Sequence, residues 1–482
     1  MTVEYGDVGK AALLTEEELE QSVVITDPSL PNNPIPLILV NENNWSQWRK
    51  QASPAANTWI DSVQFLPKPS QVCLMPGENG ALEKVVVGVN NTTDLWTLAH
   101  LPYRLPQGVY VLENDHDCGL RGGLPLGWAL GAYNYTRYQK VKRDPAQLLV
   151  TDESVLTESQ RLAAATFLVR DLINTPSNDM GPVELAEIAE QVASVGGASF
   201  SVISGDDLLT QNYPTIHAVG RGSSRTPRLI DIRWGSVEAP KVTLIGKGVC
   251  FDSGGLDIKP ADNMLLMKKD MGGAAHVLGL AQSVMEQELP VQLRVLIPAV
   301  ENSISSRAFR PGDVIRTRSG KTVEVGNTDA EGRLILCDAL AEAASETPEL
   351  IIDIATLTGA ARVAVGTGIA AMFTAGEELA EELHNCSVAQ QDPVWRLPLW
   401  EGYKDDLSST IADLNNVASH RYAGAIGAAL FLQEFVSNPH SWVHFDIMGW
   451  NPVNRPGRPE GGEALSMRAL DAFLAKRYSP ND

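Results

Sequence analysis

The sequence predicts an α/β protein in two parts: a smaller N-terminal α/β domain over residues 1–155, and a larger C-terminal α/β domain over residues 156–482 with a central, mostly parallel sheet flanked by helices. Three observations carry this. β-Branched runs bounded by Pro, Gly and Asn recur along the chain with helix-like stretches between them. In the second part several of these runs are almost continuously apolar, as strands covered on both faces of a parallel sheet must be. A polar, charged stretch over residues 141–160 separates the two patterns. The length of 482 residues suits two or three domains with a large core.

In the first part, IPLILV (35–40), EKVVVGVN (83–90) and GVYVLEN (108–114) read as strands. Residues 124–138 carry apolar and aromatic side chains at helical spacing and read as a helix. No cluster of His, Cys or carboxylates marks a site there, so this part is expected to serve assembly or access. Past the polar connector, RLAAATFLVRDLINTPSNDM reads as a helix that stops at Thr175-Pro176, because a residue before proline is pushed out of the helical region. The strands expected next are SFSVIS (199–204), TIHAVGRG (215–222), RLIDIRW (228–234), KVTLIGKG (241–248), LRVLIPAV (293–300), LIIDIAT (350–356) and WVHFDIMG (442–449). Residues 351–376 carry Asp353, Arg362 and four glycines, which suits a strand, a loop and a helix better than a membrane span. Sheets of this class hold their ligands at the carboxyl ends of the strands.

Charge narrows the function. The 38 Lys+Arg against 59 Asp+Glu give a net charge of −21. The excess is spread out, with 18 acidic against 11 basic residues over 1–155 and 41 against 27 over 156–482, so no basic arm hides behind the total. Neutralising phosphate or anionic lipid needs clustered Lys/Arg, which argues against nucleic acid and membranes as partners. The amino terminus lacks a basic segment followed by an apolar core, so it is not read as a secretory signal. Five widely spaced cysteines (Cys73, Cys118, Cys250, Cys337, Cys386) with no CxxC suit reduced, buried thiols in a cytoplasmic protein rather than a disulfide framework.

Three segments carry chemistry. GKGVCFDSGGLDIKP (246–260) follows a strand-like run and sets Lys247, Asp252 and Lys259 around a Gly254-Gly255 turn. It contains no GxxxxGK[ST] phosphate loop. MKKDMGGAA (267–275) puts Asp270 just ahead of a long helix, where an Asp by itself is only a cap. In EVGNTDAEGRLILCDALAEAA (324–344), an extended backbone would project Asp329 and Glu331 toward one point, with Arg333 next on that side. Converging carboxylates repel unless a cation sits between them. Asp252, Asp270, Asp329 and Glu331 together are the inventory of a two-metal site with oxygen ligands. The eight histidines show no ligand spacing and HExxH is absent. GxSxG is absent too, so Ser253 is expected to make local hydrogen bonds rather than act as a nucleophile.

NTDAEGRL (327–334), with GKGVCFDSGG (246–255), IKP (258–260), Lys268-Lys269-Asp270-Met271-Gly272-Gly273 and ATLTGA (355–360), resembles the leucyl (cytosol) aminopeptidase family. The resemblance runs from about residue 165 to the C-terminus. It implies two divalent metal ions per subunit, Mn²⁺ or Zn²⁺, with Asp252 and Glu331 contacting both. Lys247, as a neutral amine, and Asp270 complete the tightly held ion, and Asp329 the exchangeable one. A metal-bridging hydroxide is the implied nucleophile, with Lys259 polarising the scissile carbonyl and Arg333 holding a bicarbonate general base. A free α-amine on the exchangeable metal would confine cleavage to the first residue of a peptide. The implied substrate lining is Met267, Thr356, Leu357 and Gly359, with Met448 where the family commonly has Ala, which would shallow the pocket. A homo-hexamer, a dimer of trimers, is implied as well. A narrow Cys-Gly dipeptidase and a DNA-binding regulator are the alternatives; the acidic charge opposes the second.

Overall fold

In the computed structural model, which describes residues 24–25, 34–113 and 119–479, the helix Glu153–Asn174 ends just before Thr175-Pro176, as the sequence predicts. The described chain divides into two units, one reaching to Ala164 and including Val453–Pro459, the other comprising Ala165–Pro452 and the chain from Glu460. The division falls inside this helix. The polar connector already contains a short strand and the start of the helix, so the change in composition precedes the change in structure.

The first unit holds β1 (Val24–Ile25), β2 (Ile35–Val40), β3 (Val72–Pro76), β4 (Leu82–Gly88), β5 (Val109–Leu112) and β6 (Gln147–Leu149) in the order β1-β6-β5-β2-β4-β3. All neighbours are parallel except β3 and β4. The helix expected over 124–138 occupies Gly123–Ala132 and stops where the apolar residues give way to Asn134 and Thr136.

The second unit holds β7 (Ser199–Ser204), β8 (Arg228–Trp234), β9 (Lys241–Gly246), β10 (Gly248–Asp252), β11 (Gln292–Asn302), β12 (Val314–Arg316), β13 (Thr322–Glu324), β14 (Leu350–Ala355), β15 (Ala370–Phe373), β16 (Val394–Arg396), β17 (Leu414–Asn415) and β18 (Trp442–Asp446). Nine of these make one sheet, ordered β16-β15-β18-β14-β9-β11-β8-β7, with β10 also on β11. Its centre, β18-β14-β9-β11, is parallel, and antiparallel pairs join β15 to β18, β8 to β11 and β7 to β8. β9 and β10 run along β11 almost as one strand, with a bulge between Val249 and Phe251. Ile352 and Ile354 of β14 pack on one face with the helices Pro182–Val195 and Gly272–Glu286. Ile351 and Ala355 pack on the other with Glu331–Ser345 and Gly424–Gln433. Both faces are covered, which is why these strands read as continuous apolar runs.

One expected strand is a helix. TIHAVGRG is preceded by Pro214, which opens the helix Pro214–Gly220, and Ile216 and Val219 bury the same face three residues apart. Cys73, Cys250, Cys337 and Cys386 are buried thiols outside any disulfide; Cys118 lies outside the described residues, as do the N-terminal segment up to Val23 and Asn114. No helix among the described residues is long and apolar enough to cross a membrane.

Candidate active site

The parallel strands end together. Lys247 follows β9, Asp252 ends β10, Asn302 ends β11, Thr356 follows β14 and Asp446 ends β18. Facing them, a 3₁₀ turn at Met267–Met271 delivers Asp270 into the helix Gly272–Glu286. A second turn carries Asp329 and leads into the helix Glu331–Ser345, with Glu331 its first residue.

One expectation is corrected here. Asp329 and Glu331 do not lie on an extended segment: they converge because a turn meets a helix start, and Asn416 holds that turn by accepting from Gly326 N (2.8 Å) and donating to Asn327 O (2.8 Å). Asp270 lies one residue ahead of the helix N-cap, Met271. Its Oδ2 lies 2.7 Å from Lys247 Nζ and its Oδ1 accepts from Thr356 Oγ1 at 2.8 Å.

Lysines and carboxylates interleave. Lys247 Nζ is also 3.0 Å from Glu331 Oε1 and donates to Thr356 O at 3.2 Å. Lys259 Nζ is 2.8 Å from Asp252 Oδ2 and pairs with Asp329. One oxygen each from Asp252, Asp329 and Glu331 lies within 4.8 Å of the others. Gly332 permits the approach of the helix: a Cβ there would stand 2.8 Å from Lys247 Nζ. Gly254 and Gly255, at φ +86 and +66, turn the chain so that Lys259 comes back to Asp252. Ser253 makes the expected local bonds, donating to Asn302 O at 2.7 Å and accepting from Gly255 N at 3.2 Å.

The electrostatics describe concentrated negative charge. Burial, reinforced by Asp252 and Asp270, pushes Glu331 up to about 8, against the pull of Lys247 and Lys259. Burial and Asp252 push Asp329 up to about 6. Burial opposes the charge on Lys247, but Asp270, Glu331 and Asp252 outweigh it and hold the ammonium above its usual value. To ligate a metal, Lys247 would have to lose this proton, which only added positive charge nearby would favour. Burial brings Arg333 down to about 10 and Lys269 down to about 8. Glu331 Oε2 is buried without a hydrogen-bond partner. An acceptor left bare among three converging oxygens fits a hard divalent cation.

Arg333 stands in the Glu331–Ser345 helix and donates to Asn416 O at 2.6 Å. Of the residues expected to line the substrate, Thr356 is buried, Met267 and Leu357 are half-buried, and Gly359 is exposed at the start of the helix Gly359–Val365. Met448 is half-buried against the core, and its Sδ accepts from Arg362 Nη1 at 3.4 Å. Several positioning residues went unpredicted. Asn302 donates to Asp252 Oδ1 (2.9 Å), and Thr328 accepts from Asp257 N (2.8 Å) while donating to Gly254 O (2.6 Å). Asp446 accepts from Leu357 N (2.9 Å), Thr358 N (3.1 Å) and Thr358 Oγ1 (2.6 Å), fixing the ATLTGA segment. Asp446 had a signal, an acid at the end of a predicted strand; lone Asn and Thr residues had none.

Residues 167–470 match the model of the cytosol aminopeptidase family, catalytic domain, and residues 35–151 match that of the M17 aminopeptidase N-terminal domain. A probable cytosol aminopeptidase of Syntrophotalea carbinolica is 40% identical over 379 residues, 73% of this chain and 76% of that one. Peptidase B of Serratia proteamaculans is 43% identical over 331 residues, 66% of this chain and 76% of that one. Among solved structures, the cytosol aminopeptidase of Coxiella burnetii superposes with a TM-score of 0.91 at 46% identity, covering 95% of this chain and 99% of that one. The bottromycin maturation enzyme BotP, solved in complex with Mn, gives 0.82 at 31% identity, covering 92% and 100%. Through both of its parts, the chain belongs to the cytosol aminopeptidase family of peptidases, hydrolases that act at the amino ends of peptides.

Proposed function

We propose that the protein is a metal-dependent aminopeptidase in which Lys247, Asp252, Asp270, Asp329 and Glu331 would hold two divalent ions. The observation that carries this is the convergence of Asp252, Asp329 and Glu331 on one point at the carboxyl ends of the strands, with the bare Glu331 Oε2 among them. Such ions would supply an acidified water and a polarised carbonyl. The remaining work belongs to the chain. Asn302 and the Gly254 N–H hold Asp252 Oδ1 so that Oδ2 faces the centre. The Thr356 hydroxyl does the same for Asp270. Lys259 stays charged, since Asp252 and Glu331 outweigh the effect of burial, and its ammonium is the donor for the oxyanion that forms on the scissile carbonyl. Arg333, steadied by Asn416, would hold a bicarbonate as the proton acceptor. Met267, Thr356, Leu357, Gly359 and Met448 line the place of the first residue. The Mn complex of BotP supports Mn²⁺ as the ion.

The first unit, without a cluster of this kind among its described residues, serves assembly or access in a homo-hexamer, and the names of the relatives support a cytoplasmic setting. Release of leucine from Leu-p-nitroanilide, with chelation and metal add-back, tests the mechanism. Activity should vanish on chelation, return with Mn²⁺, and be lost in Asp329→Ala and Glu331→Ala. Activity that survives complete metal removal, or full activity in both variants, overturns it.

A further inference from the structure

Behind the ATLTGA segment lies a buried charge pair that the hydrolytic groups named above do not include. Asp353 of β14 and His444 of β18 stand side by side in the parallel pair, and both are fully buried. His444 Nδ1–H donates to Asp353 Oδ1 at 2.5 Å, and Asp353 Oδ2 accepts from Trp442 Nε1 at 2.6 Å. The imidazole stacks on Phe373 of β15 with 5.7 Å between ring centres, and its Nε2 is buried without a hydrogen-bond partner. Asp446 comes two residues further along β18, and so on the same face of the sheet. It is 2% exposed and accepts from Leu357 N, Thr358 N and Thr358 Oγ1. A carboxylate this deep stays ionised only beside a cation. Burial pushes Asp446 up, and the charge on His444 is the largest pull against it, ahead of the bonds from Thr358 and Leu357. Burial opposes the charge on His444 as well, and so does Arg333 from the helix Glu331–Ser345, but Asp353 and Asp446 outweigh them and hold the imidazolium above its usual value. β15 adds no charge, since it sets Phe373 against His444 and Ala371 against Asp446. The helices Gly359–Val365 and Gly424–Gln433 bring only Ala361, Ala425 and Ala429 to the cluster around Phe373.

We propose that His444 is a positioning residue for peptide hydrolysis: as an imidazolium held by Asp353 it keeps Asp446 ionised, and ionised Asp446 holds the Leu357–Thr358 backbone in place at the substrate. The inference rests on the aminopeptidase reading above. Charge balance supports the imidazolium, because Asp353 and Asp446 are then matched by His444 and Arg333, whereas a neutral imidazole would leave a buried negative charge uncompensated. Without the charge on His444, Asp446 takes up a proton. Its O–H becomes a donor, and the N–H groups of Leu357 and Thr358 are left competing for fewer lone pairs. The loss falls on the segment that meets the substrate, so KM should respond more than kcat.

The test is a double-mutant cycle on the Mn²⁺-loaded full chain, read as KM and kcat for Leu-p-nitroanilide from about pH 6 to 9. His444→Asn keeps a donor for Asp353 without the charge, and Asp446→Asn supplies the neutral shape that a protonated Asp446 would have. Each should raise KM about tenfold at every pH, the range lost with a hydrogen bond to a charged group, and change kcat less. The double variant should be no worse than either alone, since one residue acts through the other. Asp353→Asn removes the anion that holds the imidazolium, which is present below its pKa and lost above it. Its KM should therefore match the wild type at the acid end and rise with pH, at a lower midpoint than in the wild type. Increases that multiply in the double variant overturn the inference alone. So does an Asp353→Asn KM raised equally at every pH, or a KM within twofold of wild type in both single variants. If Asp353→Asn does not fold, the cycle decides; if a variant of the cycle does not fold, the pH profile of Asp353→Asn decides. No release by the wild-type chain overturns both this inference and the aminopeptidase reading.

Discussion

Lowering the pH should destabilise the second unit through one histidine. His276 is fully buried in the helix Gly272–Glu286; its Nδ1–H donates to Gly272 O at 2.6 Å, and its Nε2 accepts from Leu465 N at 2.9 Å. These two bonds fix the neutral tautomer, because a proton on Nε2 would face the Leu465 N–H head-on. Burial holds the group down at about 4, against the usual 6.5. Between these values the unfolded chain binds a proton that the folded chain refuses, so unfolding becomes easier as pH falls. The histidine's contribution is complete above about 6.5 and gone near 4. The gap between about 4 and 6.5 amounts to roughly 3 kcal/mol. Urea unfolding at pH 7.5, 6.0 and 5.0 should show stability falling with pH in the wild type and a flatter dependence in His276→Gln. NMR titration reads the group directly. An imidazole that titrates at or above 6, or equal pH slopes in the two proteins, would refute the reasoning.

Other outcomes follow from the same geometry. Thr356→Val keeps the shape but removes the hydroxyl on Asp270, so affinity for Mn²⁺ should fall about tenfold, as measured by equilibrium dialysis, with the unfolding midpoint little changed. Gly332→Ala sets a Cβ 2.7 Å from Lys247 Cε; activity should be lost, together with about 1–3 kcal/mol of stability. Loss of metal-dependent turnover in Asp329→Ala and Glu331→Ala completes the set.

Much of the second unit is legible because its strands are buried on both faces, and a short apolar run such as LIIDIA suits a doubly covered strand far better than a surface helix or a loop. The carboxylates and lysines of the site are legible for a related reason. They sit at strand ends and helix starts, where the chain changes direction and local residues mark it. Legibility fails where a contact is made by residues distant in the chain. Asn302 serves Asp252 from 50 positions away, and Asn416 braces the Asp329 turn from further still. No spacing rule connects such pairs. TIHAVGRG misled for the opposite reason: its β-branched residues follow the local preference for strand, while Pro214 and the packing of Ile216 and Val219 against the core decide for helix.

The bulge between Val249 and Phe251 settles which side of the sheet the chemistry occupies. Lys247 and Asp252 are five residues apart, an odd number, and in an unbroken strand they would look in opposite directions. The extra residue at Cys250, its carbonyl taken up by Ser177 Oγ at 2.7 Å, resets the alternation so that both reach the neighbourhood of Glu331. Residue count between the two positions is thus as much a part of the site as residue identity. A small apolar side chain can stand in for buried Cys250, but a one-residue deletion there would turn Asp252 away from its partners while leaving every functional side chain present in the sequence.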